Sequence, residues 1–287
     1  MKAIYKKELK SYLTSMIGYI FIVFILLVVG LYFAAINIGS AWPRIGDTLN
    51  NVTFVFLISI PILTMRVLAE ERRQKTDQLL LTAPVKIHQI VAGKYFSLVT
   101  IFLIPTLVVC FYPLILRKFG AVSMAMSYTA ILGFFLLGCA EIAVGVFLSS
   151  VTESQVIAAV LAFLVLFGSY VSAGVADFFP ETAGASFASF LVLVLILCLW
   201  IGSMIQNVIV TTVIAIVGEG ALTAAYLLKS SLFEGSIQKF IGMFDFTEHF
   251  SNFTNGILDI NGIVYFLSVI VICLFLANQS VQKRRWN

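Results

Sequence analysis

A chain of 287 residues is long enough to bury a core of its own, but this one is 61% hydrophobic and only 11% charged. Soluble domains carry about 25% charged residues, so there is too little polar surface here to cover a water-soluble fold. The formal charge of +4 says little by itself; its distribution along the chain matters more.

Met1–Ser15 is too charged and too long for the n-region of a cleavable leader, and no small-x-small site follows it. Tyr5, Leu9 and Tyr12 recur at helical spacing with Lys7 opposite, which predicts a short interfacial helix over 1–15, lying on the inner leaflet. Hydrophobic runs then follow at about 17–38, 52–69, 95–116, 128–150, 155–177, 187–205, 207–228 and 262–279. A bilayer core takes about 20 apolar residues as a helix. Backbone polar groups in lipid must pair internally, so each run is expected to be helical. In the pair at 187–228 the link Ser203–Asn207 is short, and Gly218-Glu219-Gly220 interrupts the second member. That pair reads as a helical hairpin or as one span plus a re-entrant piece, six to eight spans in all.

Lys and Arg decide orientation. With the N-terminus inside, 13 of the 18 fall in inside segments and 5 in outside ones. Both termini and the loop from Glu70 to Lys94 are therefore expected on the cytoplasmic side of a cell membrane. The loop reads EERRQKTDQLLLTAPVKIHQIVAGK. Strong helix formers without Gly or Pro predict a helix over Glu70–Leu81. Thr82-Ala83-Pro84 breaks it, and Pro84 suits the first turn of a second short helix with Ile87, Ile90 and Val91 on one face. The Leu79-Leu80-Leu81 cluster sits poorly in free solvent, so the loop reads as a docking surface for a soluble partner.

The segment EERRQKTDQLLLTAPVKIHQIVAGKYFS resembles the cytoplasmic coupling segment of ABC-2 type transporter permeases. A second similar segment runs over 145–163, where Thr152, Glu153 and Gln155 occupy a Thr-Glu-x-Gln turn between the fourth and fifth spans. A third runs from FDFTEHFSNFTNGILDINGIVYFL to the terminal KRRW. The chain looks most like the gliding-motility and nitrous-oxide-reductase-maturation permeases. The resemblance implies an all-α polytopic membrane protein with the ABC-2, type V exporter-like fold. Six core spans are implied, to which 187–228 adds an inserted hydrophobic pair within a single permease domain over 1–287. It further implies a dimer of permeases, either two copies or a paralogous pair, with a separate ATP-binding subunit and the possibility of an auxiliary membrane subunit. No GxxxxGK[ST] loop occurs, because Gly93-Lys94 lacks the upstream Gly and the following Ser or Thr. ATP and Mg therefore belong to the partner, and the chain itself is expected to be a non-enzymatic exporter subunit with no cofactor or nucleic acid of its own. Glu70, Glu71, Arg72, Arg73, Asp77, Leu79, Leu80 and Leu81 are the expected docking residues, with Thr152, Glu153 and Gln155 as a second contact.

Ionisable residues inside spans are functional candidates. Glu141 in GCAEIAVG and Glu219 between two glycines are candidates for a translocation path; a structural hydrogen bond for Glu141 and a loop position for Glu219 are the plainer readings. Pro61 and Pro105 sit inside the second and third runs. Gly138, Ala140, Ala143 and Gly145 form a small-residue face suited to close helix packing. The segment 229–261 carries Phe233, Phe240, Phe244, Phe246, Phe250 and Phe253, which predicts a pair of amphipathic helices at the outer interface. Phe244, Phe246 and Phe250 are candidate outer-gate residues, against a plain anchoring role. Cys110, Cys139, Cys198 and Cys273 all lie in apolar runs, and His88 and His249 stand alone, so neither a disulfide framework nor a metal site is expected. A self-sufficient secondary carrier is the alternative, but no internal repeat and few intramembrane charges support it. A membrane-embedded enzyme is weaker still, since no HExxH, GxSxG or paired intramembrane aspartates occur.

Overall fold

The computed structural model describes residues 1–76, 85–205 and 208–286. Every regular element among them is helical, as the composition predicts. In chain order these are α1 (Lys2–Thr14), α2 (Met16–Tyr32), a π-helical turn at Phe33–Gly39, α3 (Ile45–Thr64), α4 (Ala69–Arg73), α5 (Ile87–Val109) and α6 (Tyr112–Leu116). Then come α7 (Met124–Val151), α8 (Gln155–Ala176), α9 (Ala183–Ile205), α10 (Val208–Leu228), a 3-10 turn at Ser230–Phe233, α11 (Ser236–Gly242), α12 (Phe246–Thr254) and α13 (Ile260–Trp286).

Seven helical stretches are long and apolar enough to cross a membrane: Met16–Gly39, Ile45–Arg73, Ile87–Leu116, Met124–Val151, Gln155–Ser172, Thr211–Leu228 and Ile260–Lys283. The run at 187–205 falls in α9, whose shorter apolar stretch Ala183–Cys198 leaves seven such stretches among the described residues against the eight runs of the sequence. The expected break at Gly218-Glu219-Gly220 is absent. Helix α10 runs straight through it, because a single glycine costs a helix only about 1 kcal/mol.

Two compact units are distinguishable: 1–168 with 246–287, and 169–245. In the first, the 28-residue α7 is the central post, flanked by α3, α5, α12 and α13. Its glycines allow this close approach. A Cβ on Gly138 would run into the Phe102 ring, one on Gly145 into Thr64, and one on Gly133 into Phe253. The small-residue face therefore packs as the sequence predicts. Phe56 sits 4.7 Å from Phe134 and 5.5 Å from Phe102, ring centre to ring centre, and Phe102 stacks on Phe135 at 5.8 Å. These rings join α3, α5 and α7 into one core with α2 and α12. At the far end of α2, Asn37 closes the turn into α3. Its amide donates to the Trp42 carbonyl at 2.7 Å and to that of Arg44 at 3.1 Å, and its oxygen accepts from Thr48 at 2.6 Å.

In the second unit, α9 and α10 pair, with the 3-10 turn and α11 against α9. Phe187 stacks on Tyr226 at 4.4 Å and Phe190 meets Phe240 edge-on at 5.9 Å. The expected pair of outer amphipathic helices over 229–261 is three pieces instead: the 3-10 turn, α11 and α12. Gly235, at φ +63, divides the first two in a left-handed turn that glycine adopts without strain.

Candidate functional site

The charged residues gather at the end of the first unit where α1, α4, the α7–α8 turn and the last turns of α13 meet. Helix α4 begins with its N-terminus buried, where backbone N–H groups need acceptors. The acceptor comes from another helix. Ser149 Oγ of α7 takes the amides of Leu68 at 3.1 Å and Ala69 at 3.2 Å, and gives its own proton to the Met65 carbonyl at 3.1 Å. One residue on, the Ser150 carbonyl accepts from Arg72 of α4 at 3.3 Å and from the Ser280 hydroxyl of α13 at 2.9 Å.

Lys94 ties three elements together. It lies two turns into α5 with 1% of its surface exposed. Its ammonium group has three donors, and three oxygens take them: Glu71 of α4 at 2.9 Å, Glu8 of α1 at 3.1 Å and the Val67 carbonyl at 2.9 Å. Lys7 adds longer contacts to Glu71 at 3.6 Å and Glu8 at 3.9 Å. A buried charge persists only when paired and hydrogen-bonded, and this cluster balances two cations with two carboxylates. Helix α1 is thereby not a helix resting on lipid alone. Its Glu8 and Tyr12 face are buried, Ile4 lies against Gly93, and Tyr5 shares a 3.0 Å hydrogen bond with Thr100.

Arg66 serves the same junction from the foot of α3. It pairs with Glu70 at 3.4 Å, donates to the Ser11 hydroxyl at 3.2 Å, and lies 4.9 Å above the Tyr12 ring. The Tyr12 hydroxyl donates to the Leu63 carbonyl at 3.2 Å. Burial pushes the Tyr12 phenol well above its ordinary range, and the Arg66 cation offsets only part of that.

Of the expected docking residues, Glu70, Glu71, Arg72 and Arg73 sit on or beside α4, while Asp77 and Leu79–Leu81 lie outside the described residues. The expected helix over 70–81 differs in extent. Helix α4 ends at Arg73, and Lys75 takes a left-handed conformation at φ +57. The expected second short helix is no separate piece, for Ile87, Ile90 and Val91 begin α5 itself. Arg73, Gln74, Lys75 and Thr76 are exposed. The second predicted contact comes to the same place. Glu153 reaches Arg72 at 3.5 Å, the Thr152 hydroxyl accepts the Ser154 amide at 3.2 Å, and Gln155 opens α8. The two segments, some 80 residues apart in sequence, thus form one surface.

The remaining candidates stand elsewhere. Glu141 is 6% exposed in α7, on the same face as Gly138 and Gly145, whose neighbours are Phe102 of α5 and Thr64 of α3. Its Oε2 has no hydrogen-bond partner. Glu219 is half-buried in α10 of the second unit. Phe250 is fully buried and Phe246 nearly so on α12, beside Tyr265, whose ring centre is 6.0 Å from that of Phe246. Phe244 belongs to the second unit and is 58% exposed.

Sequence reasoning missed Lys94, Glu8, Ser149 and Ser150. A signal existed for Lys94: it continues the buried stripe Ile87, Ile90, Leu98 and Ile101 of α5, so a charge there demanded an acid partner. Which acids it would find was not readable, since Glu71 lies beyond the break in the loop and Glu8 is 86 residues away.

No curated protein matches the chain. A family model described as ABC-2 family transporter protein matches residues 3–217, well over half of the length. With an all-helical polytopic fold around it, this match assigns the chain to the ABC-2 family of transporter membrane proteins.

Proposed function

We propose that this chain is the permease subunit of an ATP-driven exporter, docking a separate ATP-binding subunit through α4 and the Thr152–Gln155 turn. The observation that carries this reading is the double anchorage of α4. Ser149 fixes its start, and Lys94 fixes its flank to α1 and α5, yet the residues after it stay exposed. A short element held rigidly at one end and open at the other is what a motor subunit needs to transmit force. Arg73 and the loop through Asp77 and Leu79–Leu81 supply the partner-facing contacts. Arg72, Glu70 and Glu71 set their position, and Glu153 and Gln155 extend the surface. ATP and Mg bind the partner. A second permease copy or paralogue completes the transport unit, with an auxiliary membrane subunit as in the gliding-motility and nitrous-oxide-reductase-maturation permeases it resembles. Both units of this chain serve as one permease domain in a prokaryotic inner membrane, with the α4 end and both termini cytoplasmic. Glu141 in the first unit and Glu219 in the second are each kept as candidates for a translocation path, and Phe246 and Phe250 in the first and Phe244 in the second as candidates for outer gating.

The test is purification of the tagged chain from its native membrane with mass spectrometry of the proteins retained. A soluble protein carrying a phosphate-binding loop should be recovered, and lost when 73–81 is replaced by a Gly/Ser linker. Recovery of the chain alone, active in liposomes under an ion gradient without ATP, would replace this reading with a secondary carrier.

A further inference from the structure

We infer that α1 is a docking face for anionic phospholipid, made by Lys2, Lys6 and Lys10. These lysines are exposed and spaced four residues apart, so they form one stripe along the helix. Lys7 is drawn toward Glu8 and Glu71. Among the described residues no carboxylate lies within ion-pair distance of Lys2, Lys6 or Lys10.

The arrangement is unfavourable for the helix on its own. Like charges four apart repel. Lys2, in the first turn, opposes the helix dipole, and α1 has no acidic residue there and no side-chain cap. An anionic partner relieves both terms. Rotation about the helix axis is not free either, because Glu8 is held by Lys94 and Tyr12 by Leu63. The lysine stripe is therefore held pointing away from the protein.

Position identifies lipid as the partner. A single extended residue, Ser15 (φ −96, ψ 150), separates α1 from α2, whose first turns expose Met16, Tyr19 and Ile20 as lipid-facing apolar surface. So short a tether holds α1 at headgroup level. The half-buried Leu9 and Leu13 follow the same four-residue step and pack against the core of the protein, which fixes the turn of α1 and leaves the lysines on its outward side. Each lysine near an anionic surface strengthens attachment by about fivefold.

The test uses the full chain in nanodiscs of phosphatidylcholine, alone or mixed with phosphatidylglycerol, read by amide hydrogen exchange. Phosphatidylglycerol should slow exchange across 2–14 by about tenfold or more, and added salt should reverse this. The variant K2Q/K6Q/K10Q should lose the slowing, while K2R/K6R/K10R keeps it. Exchange in α2 should be the same throughout, which shows that the fold is intact. Equal exchange of the wild type in both lipids, or full slowing in the Gln variant, would overturn the inference. Slowing that appears in phosphatidylcholine only when an ATP-binding subunit is added would also overturn it, and assign the stripe to that protein. Lipid contact by α1 needs no ATP-binding subunit, so this result is independent of the transporter reading.

Discussion

Lys94, two turns into α5, places its ammonium 2.9 Å from the Glu71 carboxylate of α4 and is almost wholly buried in doing so. One side chain on a spanning helix thus holds the element proposed to meet the motor subunit. Glu8 shares the same ammonium at 3.1 Å, so removing the cation strands two carboxylates in a closed site. Breaking a buried pair by deleting one partner costs about 3–5 kcal/mol. Lys94→Met should lower the thermal midpoint of the detergent-solubilised chain sharply, and adding Glu8→Gln and Glu71→Gln should recover much of the loss. A Lys94→Met chain that unfolds at the wild-type temperature would show that the cluster contributes nothing.

Arg72 and Arg73 are neighbours with different duties. Arg72 binds Glu153 and the Ser150 carbonyl within the chain, whereas Arg73 is exposed. Arg73→Ala should reduce co-purification of the ATP-binding subunit without changing thermal stability. Arg72→Ala should cost about 1–3 kcal/mol of stability through its charge-assisted hydrogen bonds and weaken docking only as the Thr152–Gln155 turn loosens. Pull-down and thermal unfolding of the two variants side by side separate the roles. Identical behaviour of both would sink the division.

The spans were legible because length and apolarity alone decide them in lipid, and seven of the eight runs reappear as membrane-length helical stretches, all but 187–205. The breaks were less legible. Gly218 and Gly220 read as interruptions but are absorbed by α10, since an isolated glycine weakens a helix without ending it. Helix α4 is shorter than its composition suggests, because tertiary contacts rather than propensity hold a five-residue helix. The two segments of the proposed docking surface could be picked out from their residues. Their meeting through Arg72 and Glu153, and the tie from Lys94 to Glu8 behind them, depend on pairings across some 80 residues that no local pattern encodes.

Between α12 and α13 the Asn252 amide donates to one oxygen of Asp259 at 2.8 Å, and the Asn261 backbone N–H donates to the other at 2.9 Å. The Asn252 bond chiefly, with the backbone bonds behind it, holds this exposed carboxyl below its ordinary value of 3.8. A carboxyl depressed in the folded state supports the turn fully above its unfolded value and loses that support as pH falls through the folded one. Protection of the Asn261 amide from exchange should therefore be flat above pH 3.8 and decline only in stronger acid. Asp259→Asn should flatten the profile. A decline that begins above pH 3.8 would contradict the assignment.

Glu141 offers the sharpest separation of stability from function. Its carboxyl is buried on the face of α7 whose glycines meet α3 and α5, and among the described residues Oε2 has no hydrogen-bond partner. A buried polar atom left without a hydrogen bond costs about 1–3 kcal/mol, and an apolar group of similar shape removes that cost. Glu141→Met should therefore raise the thermal midpoint, whereas Glu141→Ala should lower it by opening a cavity. A residue that destabilises its own fold belongs to the sites where function outweighs stability. ATP hydrolysis by the assembled complex should accordingly fall in the stabilised Glu141→Met variant, although no contact with the ATP-binding subunit has been touched. A variant that is more stable and equally active would make Glu141 a tolerated defect of the core and remove it from the path. A less stable Glu141→Met would mean that the carboxyl gains a partner in the membrane, through water or a second permease copy.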